Sequence, residues 1–295
     1  MNIAITGATG LVGSALTPFL VSKGHEVVRL SRSGGPGFSR WDPTRGENDI
    51  AVFSNCDAIV HLAGANLAGG RWTAERKREI IESRVQSTRG VVDALTRMSI
   101  RPRVLACASG IGFYGDTGDR IADETSPKGA GFLAEVCERW EAEAERASQL
   151  GVRIVSLRFG PLLTPKGGAL GKMLPIFRLG LGGGIASGEQ WMSWIAIDDA
   201  MSAIEHVIAN ERISGPVNVI APGAVRSGEF SATLARVLRR PALLPVPAFA
   251  LKMALGQMAN ETLLASTRAT PRRLVETGFR FRYPTLEEAL RQLLG

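Results

Sequence analysis

Short apolar runs alternate in the first half of the chain with longer segments in which apolar residues recur at helical spacing. The helical patterns cover residues 73–98 and 130–150. The runs that we expect to form strands end near Leu30, Leu62, Ala106 and Leu157. Strands that alternate with helices are joined by crossovers, which favour a parallel sheet wound right-handedly. The pattern therefore predicts an α/β fold with a doubly wound parallel sheet.

The second half of the chain is less regular, because glycine-rich loops follow Leu157 and surround one amphipathic helix at 170–179. A last sheet strand is predicted at 216–220 and a helix near 228–238. The prolines from Pro241 to Pro247 mark a hinge into a helical tail. The predicted division of the chain is a sheet core at 1–160, to which 190–240 returns, and a smaller C-terminal lobe with a helical tail at 161–190 and 241–295.

Three glycines separate the first predicted strand from the first helix, in the spacing G-x-x-G-x-x-G. One glycine permits the sharp turn, another lets the backbone approach a pyrophosphate, and a third allows close packing of helix on strand. The N–H groups that open the helix then face the phosphates. We therefore predict a dinucleotide site whose contacts at this turn are Gly7, Thr9, Gly10, Leu11, Val12 and Gly13.

A second strand, from His25 to Leu30, follows the glycine turn at the distance where dinucleotide sites read the ribose. It ends in Ser31 and Arg32 rather than in an acidic residue. An acidic residue would bind a ribose 2′-hydroxyl, whereas a small hydroxyl followed by Arg suits a 2′-phosphate. These residues therefore favour NADP over NAD as the cofactor. The alternative is that Arg32 is an ordinary solvated arginine.

The composition is that of an ordinary globular protein, since 295 residues with 45% hydrophobic content suffice for a substantial core. The net charge of +7 and the isoelectric point near 9.8 raise the question of a nucleic-acid partner. Lys and Arg are scattered along the chain without a basic tract, so no nucleic-acid partner is expected. The charge favours anionic small molecules, and the expected partner is a small-molecule substrate.

The sequence indicates neither secretion nor membrane insertion. The first strand is predicted to begin at residue 2, which leaves no room for a signal peptide, and no apolar stretch approaches the roughly 20 residues of a membrane span. Cys56, Cys107 and Cys137 are far apart and lack the spacing of a zinc site or a disulfide framework. We therefore expect a cytoplasmic protein with reduced thiols, no membrane partner and no metal.

Motifs after the glycine turn give the chain a resemblance to a known family. In order they are His61-Leu62-Ala63-Gly64, Ser109 and Trp194-Ile195-Ala196-Ile197-Asp198-Asp199. They resemble an extended short-chain dehydrogenase/reductase of the sugar-nucleotide epimerase type. Stretches such as Arg40-Trp41-Asp42-Pro43 and Pro271-Arg272-Arg273-Leu274 are similar to an atypical epimerase-like branch that carries a C-terminal domain of unknown function.

The resemblance implies a Rossmann fold and an NADP-dependent oxidoreductase or epimerase-like enzyme that acts on a small carbonyl or hydroxyl substrate. It implies substrate contacts from Gln190 and Trp194, for which packing of the lobe onto the sheet is the alternative. The further cofactor contacts that it implies are Leu62, Ala63, Gly64, Arg84, Ser109 and Pro161.

The catalytic pair of the ordinary family is absent from this chain. That pair is a Tyr and a Lys four residues later on one helix face, which act with an upstream serine. Alignment through helix 130–150 puts Leu133 at the Tyr position and Cys137 at the Lys position, whereas Ser109 is retained. Dehydratase members of the family have acidic residues directly after the serine, whereas this chain does not. A dehydration mechanism therefore lacks its acid and base.

Three residues are predicted to carry the chemistry. Ser109 would orient the substrate oxygen. Cys137 would transfer the proton if a cation such as Arg84 lowers the pKa of its thiol from about 8.5. The alternatives are a bound water for that step and, for Cys137, a small buried hydrophobe. Tyr114, five residues after Ser109, lies within reach of the same pocket, with packing as its alternative role.

Two functions remain open at this level. The first is the oxidoreductase described above, and the second is a non-catalytic NADP(H)-sensing module that contacts a protein partner through its C-terminal helices. The exposed charged faces of helices 73–98 and 130–150 leave two assemblies open, a monomer or a homodimer that pairs through these helices.

Overall fold

The computed structural model describes residues 1–43 and 50–295, and a parallel sheet of seven strands forms its centre. Two small two-stranded sheets lie outside it. The strands are β1 Asn2–Thr6, β2 Glu26–Ser31, β3 Ser39–Arg40, β4 Ala58–His61, β5 Val104–Gly110, β6 Arg153–Phe159, β7 Leu162–Leu163, β8 Trp191–Met192, β9 Ile195–Ala196, β10 Gly215–Val219 and β11 Val225–Arg226.

The strand order in the main sheet is β3-β2-β1-β4-β5-β6-β10, and every neighbouring pair in it is parallel. The chain builds outward from β1 to one edge, then returns to β4 and builds to the other edge. Such a change of direction leaves a crevice at the carboxyl ends of the strands on either side of it. The predicted doubly wound parallel sheet is confirmed.

Helices connect the strands and continue as a tail. The two long helical patterns of the sequence are α2, whose N-cap Thr73 accepts a hydrogen bond from the Arg76 N–H at 3.1 Å, and α3, which a 3₁₀ turn extends to Leu150. The helices are α1 Leu11–Ser22, α2 Ala74–Arg97, α3 Phe132–Glu145, α4 Gly168–Arg178, α5 Ile197–Ala209, α6 Ser227–Leu238, α7 Ala248–Leu255, α8 Gln257–Thr262, α9 Arg272–Glu276 and α10 Leu286–Leu294.

Both faces of the sheet are buried. Alternate residues of a strand point to opposite faces, and β1 follows this rule. Ile3 and Ile5 pack into the cluster that contains α1 and α5, whereas Ala4 packs on the other face with Leu95 of α2 and Trp140 of α3. Because every buried strand faces apolar helices on two sides, the strands read as continuous apolar runs in the sequence.

A third apolar cluster joins the chain after β6 to the tail, with Trp194 at 0% exposure beside Leu174 of α4, Phe230 of α6 and Leu290 of α10. The tail also reaches the sheet core. Both oxygens of Glu261 accept hydrogen bonds from the N–H groups that open α3, at 3.1 and 2.8 Å. Across residues 1–43 and 50–295, the length and polarity of every helix are incompatible with a membrane span.

Candidate functional site

The glycine turn between β1 and α1 forms a tight backbone cradle. Gly7 has φ +67°, a left-handed conformation that favours glycine, and its carbonyl oxygen accepts a hydrogen bond from the Gly10 N–H at 3.0 Å. A Cβ on Gly13 would lie 2.5 Å from that same oxygen. Helix α1 begins at Leu11 without a side-chain cap from the described residues, and Gly10 and Thr9 are exposed. The first N–H groups of α1 are thus available to a phosphate.

The end of β2 lies beside this turn. Thr6 pairs with Leu30 in the sheet, so Gly7 and Ser31 leave neighbouring strands at the same edge. The Ser31 hydroxyl donates to the Gly34 carbonyl oxygen at 3.3 Å, and the Arg32 side chain is exposed. Arg32 thus follows the strand next to the glycine turn with its side chain exposed, and its contact with a 2′-phosphate stays a prediction.

A buried histidine connects the turn to β4 and α2. His61 is fully buried, with its Nδ1 2.6 Å from the Thr6 hydroxyl and its Nε2 3.3 Å from the Ser87 hydroxyl. The Thr6 hydroxyl oxygen also accepts from the Leu62 N–H, and the Ser87 hydroxyl donates to the Arg84 carbonyl oxygen. Thr6 therefore donates to Nδ1, and the imidazole carries its proton on Nε2. Burial lowers the pKa of His61 to about 3, so the ring is neutral.

Arg84 lies at the next position along the crevice. Its guanidinium carbon would lie 3.2 Å from a Cβ on Gly64, just after β4, and it lies 4.9 Å from the Trp140 ring centroid of α3. The Nη1 group donates to the Ile80 carbonyl oxygen at 3.0 Å. The side chain is buried, and this burial lowers its pKa to about 10. Leu62, Ala63 and Gly64 directly follow β4, and the Gly64 backbone lies against this guanidinium.

Ser109, at the end of β5, belongs to a hydrogen-bonded group that sequence reasoning missed. Its hydroxyl donates to Oε1 of Glu141 on α3 at 2.6 Å. Glu141 also forms a two-pronged ion pair with Arg158 of β6, whose Nε and Nη2 donate to the two carboxylate oxygens at 2.8 and 2.7 Å. Burial acts to lower the pKa of Arg158, but hydrogen bonding and charge attraction from Glu141 outweigh it and leave the pKa raised.

The group continues through Tyr114 into the sheet edge. Arg158 donates from Nη1 to the Tyr114 hydroxyl oxygen at 3.0 Å, and this hydroxyl donates to the Asn218 side-chain oxygen at 2.7 Å. Tyr114 is 1% exposed, and burial raises its pKa to about 12. Its hydroxyl has both hydrogen-bonding roles filled by the protein, which supports the packing role given above as the alternative.

Cys137 does not have the lowered pKa that a proton-transfer role requires. Its thiol donates to the Gly110 carbonyl oxygen at 3.5 Å and lies within hydrogen-bonding reach of Ser109. Burial raises the pKa of Cys137 to about 11 and outweighs the opposing charge of Arg84. Arg84 does act to lower this pKa, as expected, but the net shift is upward because desolvation of a thiolate at this depth exceeds the attraction of one cation.

The remaining predicted contacts fall into two groups. Pro161, after β6, is half-buried and accepts the Ile195 N–H on its carbonyl oxygen at 3.1 Å. Gln190 donates to the backbone carbonyl oxygens of Ile185 and Leu263, and the Trp194 indole N–H donates to that of Gly223 at 2.8 Å. Both side chains are buried by the lobe itself, which supports their alternative role in packing.

The pairing of Glu141 with Arg158 could have been predicted from the sequence. Arg158 is a charged residue inside the apolar run that forms β6, and a buried arginine requires a carboxylate partner. Glu141 follows Cys137 by four residues, so the two share one face of α3. The part of the chain that the structure describes contains no cluster of His, Cys, Asp or Glu fit to hold a metal ion.

The strand order, with its crevice beside the glycine turn, is that of the dinucleotide-binding doubly wound folds. Residues 3–220 match the NAD dependent epimerase/dehydratase family, and residues 246–293 match a domain of unknown function, DUF1731. The chain therefore belongs to the NAD-dependent epimerase/dehydratase family, in the branch with this C-terminal domain. The predicted resemblance is confirmed.

Similar proteins occur in bacteria, plants and animals. An epimerase family protein of Mycobacterium bovis is 39% identical over 98% of this chain and 96% of its own length. A chloroplastic homologue from Arabidopsis thaliana is 38% identical over 100% of this chain and 87% of its own length. The crystal structure of human epimerase family protein SDR39U1 with NADPH superposes with a TM-score of 0.92, at 33% identity over 99% of each chain.

Proposed function

We propose that this protein binds NADP(H) and interconverts a small carbonyl compound and the corresponding alcohol, as an atypical reductase or epimerase-like oxidoreductase. The observation that carries the proposal is the glycine cradle, in which a Cβ at Gly7 would meet the backbone of Leu62 at 2.8 Å and one at Gly13 would meet Gly7. A turn whose glycines leave no room for side chains, followed by a helix N-terminus without a side-chain cap, fits a pyrophosphate. The human relative bound to NADPH supports the same cofactor.

The cofactor would lie along the carboxyl edge of the sheet. The first turn of α1 would hold the pyrophosphate, and Ser31 with Arg32 would hold the 2′-phosphate that distinguishes NADP from NAD. Leu62, Ala63 and Gly64 would form the wall opposite the glycine turn, since Gly7 already contacts Leu62. Bound NADP(H) would supply or accept the hydride, which the side chains cannot do.

Ser109 and Glu141 would handle the proton. The Ser109 hydroxyl donates its hydrogen to the Glu141 carboxylate. The lone pairs of the Ser109 oxygen are therefore available to accept a hydrogen bond from a substrate hydroxyl. When an alcohol is oxidised, its hydroxyl proton would pass to the Ser109 oxygen while the Ser109 proton passes to Glu141, and reduction reverses both transfers. The ion pair with Arg158 keeps Glu141 in place for this role. Cys137, a thiol at neutral pH, would line the pocket.

Two measurements test the proposal. Titration with NADPH, followed by nicotinamide fluorescence, should show saturable binding that is tighter than that of NADH. A panel of aldehydes, ketones and secondary alcohols, assayed by the absorbance of reduced nicotinamide, should contain a substrate. Ser109→Ala should abolish turnover, while NADPH binding persists through the contacts at the glycine turn and Arg32, whereas Cys137→Ser should keep both turnover and binding. Binding without turnover across the panel would contradict the enzymatic proposal.

A second candidate function is an NADP(H) sensor without catalysis. The observation that favours it is Leu133, which stands where the ordinary family has its catalytic Tyr and packs against Gly112, where a Cβ would lie 3.0 Å from that of Leu133. A sensor should bind NADPH, show altered hydrogen exchange in residues 160–195 on binding, and turn over nothing.

The location and assembly that we propose follow the sequence. The protein would be cytoplasmic, although one relative is chloroplastic, and its partner would be a small-molecule substrate. A groove of about 530 Å³ between α2 and α3 is lined by charged and apolar side chains, among them Glu82, Val85 and Arg139. A homodimer would cover this groove and a monomer would leave it open, which analytical ultracentrifugation distinguishes.

A further inference from the structure

An exposed apolar surface lies where the C-terminal lobe meets the start of the tail. Among the described residues, most of the large apolar side chains that are exposed fall in two short segments, 176–181 and 243–253. Scattered exposed apolar residues are ordinary, whereas a group of neighbouring ones marks an interaction surface. Six of them, each more than half exposed, form what we call the apolar patch: Leu179, Leu181, Leu243, Leu244, Phe249 and Met253.

Backbone contacts hold the two segments of the apolar patch side by side. The Leu244 N–H donates to the Gly182 carbonyl oxygen at 3.1 Å. Helix α7 begins four residues after Leu244, and Phe249 and Met253 lie four residues apart on one of its faces. Lys252 is the one polar residue of α7, yet none of the residues of this helix is buried. An apolar helix without a buried residue leaves its apolar side uncovered.

The charge around the apolar patch has one sign. Residues 167–188 and 230–260 contain no Asp or Glu, although the chain has 28 of them. The cations in these two ranges are Lys172, Arg178, Arg236, Arg239, Arg240 and Lys252. Within residues 1–43 and 50–295, Arg236 is the one cation of this group that forms an ion pair, with Glu287 at 2.6 Å. The apolar patch therefore lies in a positive electrostatic potential.

Charge and shape together decide which partner suits the apolar patch. A second copy would bring like cations together across a symmetric interface, which opposes association. A small ligand prefers a concave site, whereas Leu243 and Met253 project into solvent with 78% and 73% of their surface exposed. An anionic bilayer surface offers acyl chains to the apolar side chains and phosphate groups to the cations.

We propose that the apolar patch and the cations around it bind the surface of a membrane that contains anionic lipids. Phe249 and Leu243 would enter the boundary between headgroups and acyl chains, and Arg240 and Lys252 would reach the lipid phosphates. The expectation of no membrane partner rested on the lack of an apolar stretch long enough to span a bilayer, and surface binding needs no such stretch. This interaction is independent of the proposed cofactor and reaction.

The test is co-sedimentation of the whole protein with vesicles of phosphatidylcholine, with and without phosphatidylglycerol. The wild type should bind the anionic vesicles, should not bind the neutral ones, and should bind more weakly at about 1 M salt. The double variant Leu243→Ser/Phe249→Ser should raise the lipid concentration for half-maximal binding about tenfold or more. Arg240→Gln/Lys252→Gln should raise it by a similar factor, because two cations leave the lipid surface.

Each variant has a matched control outside the apolar patch. Ile100→Ser/Val275→Ser removes two apolar side chains that are 77% and 56% exposed, and Arg212→Gln/Arg280→Gln removes two exposed cations. Both controls should bind within about twofold of the wild type.

Four results would overturn the proposal. They are a wild type that binds neither kind of vesicle, one that binds both kinds alike, equal losses in the variants and their controls, and a dimer in analytical ultracentrifugation that Leu243→Ser/Phe249→Ser dissociates. The last result would make the apolar patch an interface between two copies of the chain. Because no step of the test uses a nucleotide or a carbonyl compound, its outcome is separate from that of the proposed function.

Discussion

The neutral, buried state of His61 makes a quantitative prediction for stability. In the unfolded chain the imidazole has an ordinary pKa of 6.5, whereas in the folded protein burial lowers it to about 3. Between these values the unfolded state binds a proton that the folded state does not. Acid therefore favours unfolding, and the free energy of unfolding falls as the pH drops below 6.5. The loss continues until the pH approaches 3.

The two pKa values give the size of the effect. From pH 7.5 to pH 5, His61 should remove about 2 kcal/mol from the free energy of unfolding, given a folded pKa of about 3 and an unfolded pKa of 6.5. Protonation also removes the acceptor at Nδ1 that the Thr6 hydroxyl uses. In the folded protein His61 stays neutral until the pH approaches 3, so this contact and the adjacent Gly7 turn should persist at pH 5, and NADPH affinity should not fall through His61.

The assay is urea unfolding followed by tryptophan fluorescence, at both pH values, for the wild type and for His61→Gln. The variant keeps an amide in place of the ring and does not titrate, so carboxylates that protonate near pH 5 cancel in the comparison. The wild type should lose about 2 kcal/mol more than the variant between the two pH values. Equal losses in the two proteins would refute the argument, since His61 would then titrate alike in both states.

Three further substitutions test other contacts. Gly13→Ala should cost about 1–3 kcal/mol of stability and weaken NADPH binding, because its Cβ would overlap the turn, whereas Ser14→Ala should not; thermal melts with and without NADPH measure both. Glu141→Gln should cost on the order of 3 kcal/mol in urea unfolding by leaving a buried arginine unpaired, with Glu138→Gln as the exposed control on the same helix. Glu261→Gln should cost about 1 kcal/mol in the same assay, because it weakens the cap of α3, and an unchanged midpoint would contradict that role.

The fold was accessible from the sequence, whereas part of the site was not. Apolar runs and helical spacing predicted the sheet and the helices around it, because strands that are buried on both faces consist of continuous apolar residues. The glycine turn was predictable for a similar reason, since Gly7 and Gly13 meet each other within one local segment. These features depend on neighbouring residues, and their spacing is visible in a single chain.

The hydrogen-bonded group around Ser109 depends instead on contacts between distant segments. Glu141 lies 32 residues from Ser109, and Tyr114 lies 104 residues from Asn218, so only the order of the strands brings them together. The net direction of the Cys137 pKa shift was not predictable for a related reason. The sequence indicated a neighbouring cation but gave no measure of burial, and burial decides the sign of the shift.

The contact of Glu261 with the start of α3 bears on how the protein can be divided. Family models separate residues 3–220 from 246–293, and the sequence suggests a hinge between them. Yet the carboxylate that completes the first turn of α3 comes from the second segment, and Met258 packs beside Trp72 and Phe132 of the first. A protein truncated before residue 246 would retain every strand of the sheet and lose the carboxylate that caps the helix carrying Glu141. The second segment therefore contributes directly to the structure of α3, and exchanging the tail between relatives should alter the start of the helix that carries Glu141.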